Sequence, residues 1–226
     1  MRQRYDFPPF LGEQMAKLTV NDLDLQGKRV FTRVDYNVPM AEQAGAMVIN
    51  DDTRILATLP TLKAMIDKGA RIILTAHLGR PKGERVPSMS LRPVADKLAE
   101  IIGQPVAFCD QCVGDSVSEA VNQLEDGGLL LLENVRYHAE EEANDAAFAE
   151  QLAANADVYV NDAFGAAHRA HASTAGVAGV IAARGGQCAA GLLMERELQF
   201  LGDELESPAS PFVVILGGAK VSDKIK

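Results

Sequence analysis

Residues Arg29–Pro39 read RVFTRVDYNVP. The first six, Arg29 to Val34, are β-branched, aromatic or long-chained in the way a strand prefers. The Asp-Tyr-Asn that follows, closed by Pro39, cannot continue a central strand. The stretch therefore reads as a strand that delivers polar residues, Asp35 and Asn37, at its carboxyl end. Other runs fit the first half of that pattern. RIILTA (Arg71 to Ala76), LLLL (Leu129 to Leu132), VYV (Val158 to Val160) and FVVIL (Phe212 to Leu216) read as strands, and PVAF (Pro105 to Phe108) is a further candidate. Most are continuously apolar, which suits strands covered on both faces.

Helical patterns lie between these runs. Ile55, Leu59, Leu62 and Ile66 recur at helical spacing from Ile55 to Lys68, and Gly69 is placed to end the helix. Ser90 is placed to cap a helix carrying Leu91, Val94, Leu98, Ile101 and Ile102, stopped at Gly103. NDAAFAEQLAANA supplies another. From Gly191 to Glu206, Met194, Leu198, Leu201 and Leu205 share one stripe, and SPASP then breaks the helix. Strands separated by helices predict an α/β fold with a parallel sheet and helices on both faces, a three-layer αβα, Rossmann-like architecture. The sequence contains no internal repeat.

Composition bounds the function. With 47% hydrophobic and 23% charged residues, the chain matches an ordinary soluble globular protein. A formal net charge of −9 leaves no broad basic field, so a nucleic-acid partner is not expected. No apolar stretch approaches the ~20 residues that span a bilayer. The N-terminal twenty residues have no continuous apolar core and carry Pro8 and Pro9, so they read as an extension and not a signal peptide. Three cysteines, Cys109, Cys112 and Cys188, without a secretory segment predict a reducing, cytoplasmic setting. Cys109 and Cys112 form a CxxC with no second pair to complete a zinc site, and read as structural or incidental.

In a parallel α/β sheet, ligands sit beyond the carboxyl ends of the strands. After the first strand come Asp35 and Asn37. After the second comes HLGRPKG, with His77, Gly79, Arg80 and Lys82. After LLLL comes ENVRYHAEEE, with Asn134, Arg136 and His138. After VYV comes NDAFGAAHRAHAST, with Asp162, His168, Arg169 and His171. All 4 histidines fall in these segments. Arginine forks suit phosphate and carboxylate, so the rim predicts a local basin for a small, multiply charged anion. Asp35 and Asn37 read as hydroxyl readers, making the ligand resemble a sugar-acid phosphate. The acidic run Glu140 to Glu142 reads as a solvated face, and His138 and His171 as structural hydrogen-bonders. There is no GxGxxG after a strand, no GxxxxGK[ST] and no GxSxG, so dinucleotide, Walker-type and hydrolase readings are unsupported.

RVDYNVP, HLGRPKG, LLLENVRYHAEEEAND, YVNDAFGAAHRAHAST and ILGGAKVSDKI together resemble the phosphoglycerate kinase family, in order, from about Leu23 to the last residue. The resemblance implies phosphoryl transfer between 1,3-bisphosphoglycerate and ADP, giving 3-phosphoglycerate and ATP, with the magnesium nucleotide as substrate and no tightly bound cofactor or metal. It implies substrate contacts from Asp35, Tyr36, Asn37, Arg54, His77, Leu78, Gly79, Arg80, Arg136 and Arg169. Arg54, facing the moving phosphoryl, and Lys220, neutralising its charge, would be the catalytic pair. Gly218, Lys220 and Lys224 would meet the nucleotide. It also implies a division into a phosphoglycerate-binding domain at 1–190 (with 1–20 the extension), an interdomain helix and linker at 191–210, and the start of a truncated nucleotide-binding domain at 211–226. On this reading the protein is a monomer that alone is inactive in transfer. A non-catalytic module binding phosphoglycerate-like anions is the alternative.

Overall fold

Strand β1 (Arg29–Val34) is central, and its successive side chains enter two different cores. Val30 and Val34 join a cluster with Ile55, Leu62 and Met65 on one face of the sheet, whereas Phe31 joins Phe148, Leu152, Val177 and Ile181 on the other. The same alternation splits β4 (Arg71–Thr75): Ile72 and Leu74 face the first cluster and Ile73 the second. Period-two side chains in a doubly covered sheet must do this. The computed structural model describes residues 18–206 and 213, the side chains of 202–206 excepted.

After β1 the chain makes a small hairpin, β2 (Met40–Gln43) and β3 (Ala46–Ile49), then α1 (Thr53–Asp67) and β4. It continues through α2 (Arg92–Ile102), β5 (Val106–Cys109), α3 (Asp115–Asn122) and β6 (Leu129–Leu132). Next come α4 (Ala139–Ala143), α5 (Ala146–Ala153), β7 (Val158–Asp162), α6 (Phe164–Ala167), α7 (Val177–Ala183), β8 (Cys188–Ala190) and α8 (Leu192–Glu206). The main sheet has six parallel strands in the order β5-β6-β4-β1-β7-β8. The expected three-layer α/β architecture is therefore the one found. From β1 the chain builds to one side, with β4 beside it, β5 at the edge and β6 inserted between them, then crosses to β7 and β8 on the other. The direction reverses between β1 and β7, and a doubly wound sheet opens a crevice at such a point.

Local signals account for the helix limits. Asp51 Oδ1 accepts from Thr53 N at 2.8 Å at the start of α1, and Gly69 leaves it at φ +68°. The positive φ is what requires glycine there, since the nearest neighbour of an added Cβ is the flexible end of the Gln26 side chain. Asp145 Oδ1 accepts from Phe148 N at 2.8 Å to start α5, as an N-cap does. Ser90 sits one residue before the observed N-cap of α2, Leu91, yet its Oγ still accepts from Arg92 N at 3.2 Å.

The structure corrects the sequence reading in several places. The hairpin β2–β3 was not expected; its two-residue turn places Ala44 and Gly45 at positive φ, and its strands are short and half exposed, so no apolar run announced them. β8 was missed because Cys-Ala-Ala has little strand character. The extension expected over 1–20 does not include residues 18–20: Ala190 N donates to Leu18 O, Thr19 bridges to Ala190, and Val20 is wholly buried. Apart from exposed Val213, the expected strand Phe212–Leu216 lies outside the described residues, as do Gly218, Lys220 and Lys224.

Candidate functional site

The carboxyl ends of β1, β4, β6 and β7 surround a cleft of about 270 Å³ lined by Asp35, Asn37, Arg54, His77, Gly79, Arg80, Arg136, Gly165, Ala166 and Arg169. Eight of these were expected from the sequence. The segment after β1 supplies Asp35 and Asn37, α1 supplies Arg54 from its first turn, and the loop after β4 supplies His77, Gly79 and Arg80. Arg136 follows β6, and Arg169 follows β7. The cleft straddles the reversal between β1 and β7, where fold geometry alone would put a ligand.

Two of the expected residues, Tyr36 and Leu78, are not among those that line the cleft. Tyr36 is wholly buried, its hydroxyl 2.9 Å from Thr58 Oγ1, so its ring anchors the segment to α1 and does not line the cleft. Leu78 is buried too, and both its backbone groups are taken: its N–H donates to Asn134 Oδ1 at 3.2 Å and its carbonyl accepts from Asn134 Nδ2 at 2.7 Å. Asn134 thus holds the His77–Gly79 loop like a splint.

The remaining polar groups are presented with fixed sense. Asn37 Oδ1 accepts from Gly79 N at 2.8 Å, which leaves the Asn37 amide hydrogens for the cleft. Arg136 donates from one terminal nitrogen to the Gly79 carbonyl at 3.0 Å, and its Nε lies 3.3 Å from Glu142 Oε1 without alignment for a hydrogen bond. Asp35 pairs with Arg54, and Gly165 leaves room beside it, since a Cβ there would stand 3.1 Å from Asp35 Oδ2. Arg80 and Arg169 have no ion-pair partner among the described residues. Four guanidinium groups therefore meet one lining carboxylate among the described residues, leaving the cleft with excess positive charge.

His77 is the neutral member of this group. Burial, reinforced by the positive charges of Arg33, Arg136, Arg169 and Arg54, pushes it down to about 2. The other histidines stand apart from the cleft lining. His138 packs its ring against Phe148 at 4.7 Å, His168 accepts from Arg169 Nε at 3.2 Å, and the His171 backbone N–H donates to Thr174 Oγ1 at 3.0 Å.

Sequence reasoning missed the layer behind the cleft. Arg33 is 1% exposed and reaches Ser173 and His77. Glu141, expected on a solvated face with its neighbours, is wholly buried and accepts from Ser173; only Glu140 and Glu142 face solvent. Glu133, 4% exposed, accepts from Leu91 N, Asn134 N and Ser90 Oγ, each at 2.8 Å. The available signal was that a charged residue inside or directly after a buried strand must be paired.

Among the described residues no group of three or more His, Cys, Asp or Glu side chains could hold a metal ion, and no helix is long and apolar enough to cross a membrane. A family model described as Phosphoglycerate kinase matches residues 20–226. The chain is 56% identical over 214 residues to a phosphoglycerate kinase of Rippkaea orientalis, covering 93% of this chain and 52% of that protein. It is also 56% identical over 218 residues to one of Acidobacterium capsulatum, covering 94% and 52%. Among solved structures, the phosphoglycerate kinase of Coxiella burnetii superposes with a TM-score of 0.78 at 38% identity, covering 92% of this chain and 50% of that one. That of Pyrococcus horikoshii gives 0.79 at 33% identity with the same coverages. The chain spans about half the length of the curated relatives it matches.

Proposed function

The chain belongs to the phosphoglycerate kinase family, and from that premise we propose that its cleft is the glycerate end of a kinase moving a phosphoryl group between 1,3-bisphosphoglycerate and ADP. The observation that carries the reading is the convergence of Arg54, Arg80, Arg136 and Arg169 with His77, Asp35 and Asn37 in one cleft. A small dianion with a hydroxyl satisfies that set; a neutral sugar would leave the arginines without partners.

The roles follow from the donors and acceptors available. Asp35, which as a carboxylate can only accept, takes a hydroxyl hydrogen of the glycerate. Asn37 donates its free amide hydrogens to an oxygen of the same substrate. Arg80, Arg136 and Arg169 clamp carboxylate and phosphate oxygens through charge-assisted bonds worth roughly 1.5–3 kcal/mol each. His77 adds a neutral donor. Arg54, half exposed and paired with Asp35, turns to the transferring phosphoryl when substrate takes over Asp35. Phosphoryl transfer needs positioning and charge stabilisation more than covalent chemistry, which suits a cleft of cations with no nucleophile and base in line.

The nucleotide end is assigned to Gly218, Lys220 and Lys224, with Lys220 neutralising the moving group. Magnesium ADP and magnesium ATP enter as substrates. The reading divides the chain as expected from its sequence: an anion-binding unit to residue 190, a connector over 191–210, and the beginning of a nucleotide-binding unit from 211. It also takes the protein as a cytoplasmic monomer.

Calorimetric titration of the 226-residue chain tests the cleft. Binding of 3-phosphoglycerate is expected, with D-glycerate (no phosphate) and glycerol 3-phosphate (no carboxylate) each at least about tenfold weaker, as loss of one charge-assisted contact dictates. Equal affinity for all three would remove the assignment. ADP formation from magnesium ATP and 3-phosphoglycerate, followed by a coupled assay, is expected to be absent from this chain by itself. Turnover at a full-length relative's rate would mean that these residues build a nucleotide site unaided.

A further inference from the structure

Behind the cleft wall, four side chains far apart in sequence form one continuous hydrogen-bonded line. Glu141 in α4 accepts from Ser173 twice, from the backbone N–H at 2.8 Å and from Oγ at 2.6 Å. Ser173 Oγ accepts in turn from Arg33 Nε at 2.9 Å. A terminal nitrogen of Arg33 bonds the Val34 carbonyl, and the other lies 3.0 Å from Nδ1 of His77. Arg33, Ser173 and Glu141 are all at most 1% exposed, so water cannot substitute for any of these three.

The sense of every bond is determined by what each group can do. A carboxylate only accepts, so the single hydroxyl hydrogen of Ser173 goes to Glu141, and the Ser173 oxygen is left to accept from Arg33. A guanidinium only donates, so Nδ1 of His77 has to be an acceptor and carries no hydrogen. The one hydrogen of a neutral imidazole then sits on Nε2. Because Nδ1 is engaged by Arg33, Nε2–H is the group that His77 offers to the cleft it lines.

We propose that Arg33 is a positioning residue, held by Glu141 through Ser173, that locks His77 in its Nε2–H tautomer and so makes it a permanent hydrogen-bond donor to the anion in the cleft. The other tautomer would turn a lone pair toward the anionic oxygens and repel them. The benefit to the anion rests on the glycerate reading above; the tautomer stands on the buried contacts alone. The crowding of Arg136, Arg169 and Arg54 around the ring works in the same direction, since it keeps a second proton off and leaves the donor unchanged across the working pH range.

The experiment is a long-range proton–nitrogen correlation spectrum of the 226-residue chain labelled with ¹⁵N-histidine at pH 7, with His77 assigned by its loss in His77→Gln. The expected wild-type spectrum shows His77 wholly as the Nε2–H form. In Arg33→Met, His77 is expected to average between tautomers. In Ser173→Ala, which keeps Arg33 but removes its strut, averaging is expected to be partial, with affinity for 3-phosphoglycerate reduced about five- to tenfold. Since Arg33→Met could fail to fold, the wild-type spectrum decides by itself: an Nδ1–H ring or a doubly protonated ring overturns the proposal. An unchanged His77 pattern in folded Ser173→Ala overturns the part played by Ser173 and Glu141. An Nε2–H ring that does not respond to added 3-phosphoglycerate upholds the tautomer and counts only against the glycerate reading.

Discussion

The two ends of the parallel sheet both carry arginines and both open a cavity, yet they are built on opposite principles. At the amino ends of β1, β7 and β8 lies the larger one, about 450 Å³, lined among others by Arg29, Asp157 and Arg184. There every arginine is answered. Arg29 bonds Asp157 through two nitrogens, at 3.0 Å and 2.6 Å, and Arg184 pairs with Glu150. Nearby, Arg71 meets Asp126 at 2.9 Å. At the carboxyl ends the cleft is smaller, but among the described residues Arg80 and Arg169 have no ion-pair partner and the only carboxylate lining it is Asp35. Volume points to one end and unneutralised charge to the other. Charge is the better guide, because guanidinium groups gathered without a counter-ion in a mainly acidic protein make a local positive basin that suits an anion.

The largest expected effect tests the layer that makes the cleft possible. Glu141→Gln removes the one full negative charge that the buried line gives to Arg33, and a buried charge stripped of its partner costs about 3–5 kcal/mol. A urea midpoint lowered by that loss divided by the slope, with the slope unchanged, is the expected result. No comparable residue exists in the pairs at the amino end, all of which are partly exposed. A loss under about 1 kcal/mol would mean that Arg33 is balanced by something other than Glu141.

Next in size is the loss of a clamp. Arg136 is 5% exposed and is oriented by the Gly79 carbonyl, so Arg136→Met should weaken 3-phosphoglycerate binding about 10- to 100-fold, the range for one buried charge-assisted contact. Calorimetry reads this directly. Arg136→Lys should recover only part, since an ammonium cannot donate two parallel bonds.

Acid separates the two ends by window. His77, His138 and His171 all sit below their ordinary value, chiefly through burial. Below about pH 6.5 the unfolded chain therefore binds protons that the folded chain refuses. Stability must fall as pH falls, by up to roughly 1.4 kcal/mol per pH unit for each proton. At the amino end Asp157 is held below its ordinary value by the Arg29 hydrogen bonds, so its contribution is present above about pH 3.8 and is lost only as the pH drops through its lowered folded value. Denaturation midpoints from pH 6.5 to 4.5 should thus decline, and decline less steeply in His77→Gln. Equal slopes in the two proteins would show that His77 ionises normally in the fold.

How much of this was legible in the sequence depends on distance along the chain. Leu129–Leu132 and Arg29–Val34 declare themselves as strands because burial on both faces demands unbroken apolar runs. The cleft residues after β1, β4, β6 and β7 were legible because strand ends gather ligand-binding groups whatever their identity, whereas Arg54, in the first turn of α1, came only from the family resemblance. Arg33 and Glu141 were not, since the partners that justify burying them lie far off: Arg33 meets Ser173 140 positions away, and Glu141 meets it 32 away. A run of three glutamates reads as solvated until a fold puts the middle one under a helix. Tyr36 and Leu78 show the converse, because adjacency to cleft residues in a motif does not turn a side chain toward the cleft.

The smallest effect is the one that could undo the comparison. Arg29→Met breaks a pair whose two side chains are each 36% exposed, and exposed pairs contribute about 0.2–1 kcal/mol. A loss of unfolding free energy of that size is expected, smaller still at high salt because solvent ions screen what remains. Affinity for 3-phosphoglycerate should not change, since Arg29 begins the strand whose other end carries Asp35, and six residues of extended chain separate the two by about 20 Å. A drop in affinity would mean that the amino-end cavity also takes the anion, and the contrast between answered and unanswered arginines would then fail as a guide to the site. A large loss of stability with affinity intact would instead show that answered pairs bear more of the fold than their exposure allows.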